Sequence, residues 1–522
     1  MKKIRREPFG QADCESELKI LRAEYSKLYF DETPFNSAAI EPQSYVIIGR
    51  RGSGKTALSQ YFSFQKVIGD PIYIDVDEPA VYQQVLAGIA ARASESREIA
   101  IPRLVKIWQY VIWCVVFEHT RHEAPAIARV SRNNGRNVSV SHVINGVIEH
   151  LLALFGNDDE TACAAHVEQL LAGKNIEAAR EAALRISAKR PIIIAIDTLE
   201  KYEVEDTALM NAMAALIQCA ADFNLDYAEQ GIHLKVFISG ELFPYLKEEV
   251  LQNPSKSIKE PVYLLWRPRD LLRLIGWRFF CYLEAYGLLR FESKGKIDWE
   301  DQRDVMAKMW RPYFGLEITN RRGLKERTFS YVLRHTQMRP RQLILLCNAI
   351  ARRAIRARHF PLFTEEDIRL AVREAESDLA SEIINSFSSV YPHVSTIVDA
   401  LMKLPMLFAG NELDKRASQS ASEWPQNSYS PARFRRLVAE LGIVGRVRRR
   451  NDVAGFVDAD FEYSLRDRLP ITHRDECVIH PMFYQRFNVD CSLPSRVMPF
   501  STEREAREID SDFSHLYTAR HA

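Results

Sequence analysis

Residues 44–66 set an apolar run, a glycine-rich loop and a helix-forming stretch in direct succession, and this arrangement constrains the fold more than any other part of the chain. Ser44 to Ile48 is β-rich and delivers the chain to Gly49. Gly49-Arg50-Arg51-Gly52-Ser53-Gly54-Lys55-Thr56-Ala57 follows. Glycines at 49, 52 and 54 let the backbone curl so that successive N–H groups face one anion. Lys55 to Lys66 reads as a helix, whose N-terminus adds the positive end of its dipole. Lys55 is the residue type that reaches the β- and γ-phosphates of ATP or GTP, and the Thr56 hydroxyl is the type that ligates Mg²⁺. The segment predicts a phosphate-binding loop inside an α/β fold, with ATP and Mg²⁺ as cofactors.

Such a loop needs a carboxylate at the end of a neighbouring buried strand. Ile192-Ile193-Ile194-Ala195-Ile196 is apolar without alternation, as a strand buried on both faces reads, and Asp197 terminates it. Asp197 is therefore expected to share the metal with Thr56. Glu200, three residues on, is the candidate to orient or deprotonate the attacking water. Lys55, Asp197 and Glu200 are the expected catalytic set. Ser239 ends the next strand candidate, His233 to Ser239, and is a candidate γ-phosphate sensor. Asp75 and Asp77 read as loop residues at the tip of a strand over Ile72 to Val76. Val262 to Leu265 is a fifth strand candidate.

Strands separated by helical stretches argue for a parallel sheet with helices on both faces. Residues 100–188 are longer than one crossover needs and read as a helical insertion, broken by the loop at Asn133-Asn134-Gly135-Arg136-Asn137. The most apolar run, Ile107 to Phe117, is too short to span a bilayer and reads as a buried helix, so no membrane partner is expected. The basic N-terminus is followed by no apolar signal segment. The eight cysteines form no CxxC pair and suit free thiols in a reducing cytoplasm. A formal net charge of +1 gives no global attraction to nucleic acid, so any such binding must be local.

The loop from Gly49 to Leu58 resembles that of prokaryotic STAND-like ATPases, which are similar to the AAA+ and origin-recognition ATPases. Asp197-Thr198-Leu199-Glu200 is similar to their second motif. Leu264-Leu265-Trp266, with Asp270-Leu271-Leu272 and Arg278, resembles the entry to their helical lid. Met338-Arg339-Pro340-Arg341-Gln342-Leu343-Ile344 resembles the start of a lid helix, where an arginine touches the phosphates. Arg341 is favoured for that role over Arg339. The C-terminal part is similar to a winged-helix module, with a first helix over Thr396 to Leu404, a recognition helix opened by Ser430-Pro431, and a final strand and turn at Val478 to Phe483.

The resemblance implies an N-terminal helical lead (1–40), an α/β P-loop core with its insertion (41–266), a helical lid (267–385), a winged-helix-like domain (386–495) and a polar tail (496–522). It implies slow Mg²⁺-dependent ATP hydrolysis in a homo-oligomeric regulatory switch. Arg50 and Arg51 would be the candidates for contacts to a neighbouring protomer. No nuclease, protease or TIR-like segment is recognisable, so a separately encoded effector is expected, in a bacterial antiviral defence or conflict system. The alternative is a DNA-bound ATPase of the origin-recognition or transposition-loader type. Arg433, Arg435, Arg436, Arg446, Arg448, Arg449 and Arg450 meet one acid, Glu440, between 433 and 450. They are the candidate contacts to DNA or to a partner protein.

Overall fold

The computed structural model describes residues 6–64, 68–76, 97–131, 146, 167–197, 206–251, 254–320, 323–425, 428–491 and 496–499. The chain groups into two units. One contains Pro34–Arg51 and Lys55–Leu264; the other contains Met1–Thr33, Gly52–Gly54 and Leu265–Ala522.

The first unit is built on five parallel strands: β1 (Val46–Gly49), β2 (Ile72–Val76), β3 (Ile192–Asp197), β4 (Ile232–Ser239) and β5 (Val262–Tyr263). Their order is β2-β3-β4-β1-β5. The five residues Ile192 to Ile196 are all buried, which is why β3 sits inside the sheet. Each buried isoleucine contributes about 1.5–3 kcal/mol. Register brings Gly49 opposite Ser239 and Asp197 opposite Phe237, so the carboxyl ends of β1, β3 and β4 share one edge. In open α/β sheets that edge is where ligands bind.

Asp75 lies within β2, opposite Ala195 of β3, and not in a loop at its tip. Parallel pairing with β3 continues through Val76 and holds it in the strand. Asp77 lies outside the described residues. The helix after the glycine-rich loop covers Lys55–Tyr61, shorter than the expected span to Lys66.

Helix Thr207–Tyr227 is started by Asp206, whose carboxylate accepts from the N–H groups of Ala208 and Leu209 at 3.1 and 3.0 Å. Its buried Asn224 donates to the Leu234 carbonyl at 2.8 Å and accepts the Leu234 N–H at 3.1 Å. One side chain thus stitches the helix to β4, and leaving such buried partners unmatched costs about 1–3 kcal/mol each. Described helices of the expected helical insertion include Arg97–Thr120, Pro125–Val130 and Lys174–Ser187. The loop at 133–137 lies outside the described residues.

The apolar run at Ile107 belongs to a helix of 24 residues, longer than the run alone suggested. By length and composition, Ala100–Thr120 and Thr207–Gln230 are each long and apolar enough to cross a membrane, and 72% of the apolar window of each is buried. They pack on one another: the Trp108 indole donates to the Ala212 carbonyl at 3.0 Å, and Trp113 meets Phe223 at 5.4 Å between ring centroids.

The second unit joins N-terminal and C-terminal residues. Phe9 stacks on Phe279 at 4.5 Å, and Arg278 of helix Pro268–Ala285 pairs with both carboxylate oxygens of Glu17. Helices Pro340–Arg356 and Glu365–Ser386 follow, the latter opened by a capping box between Thr364 and Asp367. Before them in the chain lies a two-stranded hairpin, β6 (Glu317–Thr319) with β7 (Lys325–Arg327). Trp310 stacks on Phe314 at 3.8 Å between ring centroids.

The last part forms a second five-stranded sheet. It contains β8 (Leu407–Ala409), β9 (Val444–Asn451), β10 (Phe456–Asp460), β11 (Glu476–Ile479) and β12 (Arg496–Met498), in the order β12-β10-β9-β11-β8. Helices Val394–Val398, Asn411–Gln419 and Pro431–Glu440 accompany it. The first is shorter than the expected Thr396 to Leu404. It passes into a 3₁₀ turn over Asp399–Leu401, and Lys403 then turns to φ +60°. Arg496–Met498, expected in a polar tail, pairs in parallel with β10 because Val497 and Met498 bury their side chains. Gln337 donates to the Leu441 carbonyl at 2.7 Å and so ties the helical part of this unit to its sheet.

Candidate nucleotide-binding site

The glycine-rich loop takes the shape its composition requires. Gly52 and Gly54 have φ of +79° and +100°, a region that side-chain-bearing residues rarely enter. Lys55 opens the following helix and is buried, and its Nζ donates to the Gly49 carbonyl at 3.1 Å. Ala57, one residue into the helix beyond Thr56, is half-buried.

Thr56 donates its hydroxyl proton to the Asp197 carboxylate at 2.7 Å. A hydroxyl and a carboxylate in contact are hard oxygen donors of the kind Mg²⁺ takes, usually completed by substrate phosphates and water. The residues present therefore fit a Mg²⁺ site. No cluster of three or more histidines, cysteines or acids suited to hold a metal occurs among the described residues. On β2, burial first and then the Asp75 charge push the Tyr73 phenol well above 10, so it stays protonated beside the acids. Asp75 itself accepts from Gln60 of the helix Lys55–Tyr61. Thr198, Leu199 and Glu200 lie outside the described residues.

At the end of β4, Ser239 is buried, and its hydroxyl donates to Glu241 at 2.6 Å. The other Glu241 oxygen accepts the Arg51 N–H at 3.1 Å. Sequence reasoning named Ser239 and passed over Glu241. The only sequence signal was an acid two residues beyond a strand end. The Arg51 side chain is exposed and that of Arg50 half-buried.

The loop tip, Gly52–Gly54, groups with the second unit. There the Arg341 N–H donates to the Gly52 carbonyl at 3.3 Å, and the Trp266 indole donates to the Ser53 carbonyl at 2.8 Å. The Arg341 guanidinium is paired with Glu382 at 3.1 Å. Arg339 is buried and donates to the Gln337 side chain at 2.8 Å.

The C-terminal arginines are not a bare basic patch. Ser430 caps their helix by accepting the Arg433 N–H at 3.0 Å, and the Arg433 guanidinium lies over the Trp424 ring at 5.7 Å. Arg435 pairs with Asp414, and Arg436 with both Glu440 and Glu462. Across the sheet, Arg446 lies 3.9 Å from Asp460, and Arg448 pairs with Asp458 and Asp460. Arg450 pairs with Asp452 and Glu476. Arg449 stands opposite Asp458 in the β9–β10 register. Counting acids only between 433 and 450 found Glu440 and missed the other partners, because folding brings them from elsewhere in the sequence.

Residues 307–383 match the family described as the FunZ-associated C-terminal helical domain. No curated protein matches the chain significantly. Among solved structures, the chain is similar to that of the Aeropyrum pernix ORC2 protein, described as ADPNP–ADP complexes. That similarity has 13% identity, covers 92% of this chain and 94% of that one, and has a TM-score of 0.28.

Proposed function

We propose that this chain is a Mg²⁺-dependent P-loop ATPase that acts as a nucleotide-controlled switch. The observation that carries the proposal is the contact of Thr56 with Asp197 at 2.7 Å. It joins the end of the glycine-rich loop to the acid ending β3, a buried strand one removed from β1 in the sheet, as a phosphate-loop enzyme requires. Bound there, Mg²⁺ would be held by Thr56 and Asp197 and would neutralise charge developing on the phosphates. The loop amides and Lys55 bind and orient the triphosphate. Glu200 orients or deprotonates the attacking water. Arg341, whose guanidinium pairs with Glu382 in this structure, is the arginine assigned to the phosphates.

The chain is read as a STAND-like relative of the AAA+ ATPases, with a helical lid at 267–385 and a winged-helix-like domain at 386–495. The order of helix, strand, two helices and antiparallel hairpin in the last part supports the second assignment. Self-association on ATP binding, through Arg50 and Arg51, and a separately encoded effector in a bacterial defence system complete the reading. The carboxylate partners of the C-terminal arginines favour a protein-docking role over a DNA-binding one, since phosphates would have to displace them. Isothermal titration of the full chain with ATP and Mg²⁺ tests the central claim. Micromolar or tighter binding that depends on Mg²⁺ is expected, and no heat of binding at millimolar ATP would overturn it.

A further inference from the structure

We infer that Glu241 is a positioning residue that clamps the end of β4 onto the entry of the phosphate loop. The inference rests on the phosphate-loop reading above. Both halves of the clamp lie in one unit.

The contacts form a closed circuit. Gly240 donates its N–H to the Gly49 carbonyl at 3.0 Å, extending the β1–β4 pairing by one residue. Lys55 donates to that same carbonyl oxygen. A Cβ on Gly240 would stand 2.9 Å from Arg50 Cγ and 3.0 Å from Arg50 N, so the close approach needs glycine here. Glu241 then turns back. One carboxylate oxygen takes the Arg51 N–H and the other takes the Ser239 hydroxyl proton, while its own N–H donates to Ser239 Oγ at 3.2 Å. The side chain is only 6% exposed, so these bonds form where water competes little and a lost partner is costly.

Two consequences follow from counting protons. Ser239 has a single hydroxyl proton, and Glu241 holds it, so the serine acts here as part of the clamp and not as a phosphate donor. The Gly49 carbonyl is shared by Gly240 and Lys55, so a shift of the β4 end moves the atom on which the loop lysine rests. Glu241 thus sets the loop through Arg51 and Gly49 while touching no reacting atom.

The test compares Glu241→Ala, Glu241→Gln and Ser239→Ala with the wild-type full chain. The probes are ADP and a non-hydrolysable ATP analogue, each with Mg²⁺. Glutamine can still accept the Arg51 N–H and donate to Ser239 Oγ, so it should bind both nucleotides within about threefold of wild type. Alanine should weaken both by about tenfold, the scale of a lost charge-assisted hydrogen bond. The Ser239 and Glu241 alanine effects should fail to multiply in the double variant, as expected for partners in one network. Hydrogen exchange of a peptide covering residues 46–58 should show protection lost in Glu241→Ala without nucleotide. Wild-type affinity in a folded alanine variant would overturn the clamp. So would glutamine behaving like alanine, or, should the Glu241 alanine variant not fold, a Ser239→Ala variant with wild-type affinity for both nucleotides and wild-type exchange protection over residues 46–58. Wild-type protein that binds neither nucleotide would instead remove the phosphate-loop reading, with the exchange result still judging the clamp.

Discussion

Thr56 and Asp197, 141 residues apart, meet through a 2.7 Å hydrogen bond from hydroxyl to carboxylate. The strand carrying Asp197 is buried on both faces, so its end is held firmly against the start of the helix Lys55–Tyr61. Replacing Asp197 by Ala should leave metal-free nucleotide binding nearly unchanged and remove most of the gain from Mg²⁺. Titration with Mg²⁺ and with EDTA measures the difference. An equal Mg²⁺ gain in variant and wild type would exclude Asp197 from the metal shell.

Lys55→Ala should abolish tight ATP binding. The buried ammonium rests on the Gly49 carbonyl, so its charge is already concentrated inside the loop. Isothermal titration is the check, and unchanged affinity would sink the phosphate-loop assignment.

Glu200→Gln should bind ATP as wild type does and hydrolyse it about 10²-fold more slowly, the effect of removing a general base. Single-turnover hydrolysis by the full chain reads this out. A wild-type rate would leave Glu200 as a surface carboxylate.

A pH effect follows from Lys235. This lysine lies within β4, 2% exposed, with Nζ donating to the carbonyls of Glu41 at 2.6 Å and Ser44 at 3.1 Å. Burial lowers its pKa from 10.5 to about 7. Between those values the unfolded chain binds more protons than the folded one, so stability rises with pH. The gain should be roughly 1 to 2 kcal/mol from pH 7 to 8.5. That window stays below 9, the ordinary thiol value, from which buried Cys219 and Cys347 are pushed up and beyond which they act oppositely. Thermal unfolding of wild type should show the rise, and Lys235→Met should flatten it. A variant with the wild-type slope would place the titrating group elsewhere.

The C-terminal arginines should not bind duplex DNA strongly at ~50 mM salt, a regime in which free phosphate contacts are tight. Their paired carboxylates already neutralise Arg435, Arg436, Arg446, Arg448 and Arg450. Fluorescence anisotropy with increasing salt measures it. Tight binding whose log–log slope falls by two to three contacts in the Arg448, Arg449, Arg450 triple-alanine variant would show that phosphates displace these acids, and would restore the DNA-bound reading.

What the sequence determined by itself is local. Gly52 and Gly54 announce left-handed backbone because other residues are rarely tolerated there. The unbroken Ile192 to Ile196 run announces a central strand because both of its faces must be dry. Asp197 follows from the same run as the acid at its end. Tertiary structure decided what those groups touch. Nothing in the local pattern of Ser239-Gly240-Glu241 says that a carboxylate will turn back onto the Arg51 amide. That follows from β1 and β4 lying side by side although Lys55 of the loop and Gly240 are 185 positions apart in the sequence. The arginines of β9 look unopposed within 433–450, yet hairpin pairing sets Asp458 and Asp460 across from them. Arg496–Met498 looks like tail, yet β10 offers a free edge and a buried place for Val497. Periodicity and turn chemistry act over a few residues and can be read in one dimension. Ion pairs, clamps and sheet edges depend on which distant segments the closing of the chain brings within about 3 Å.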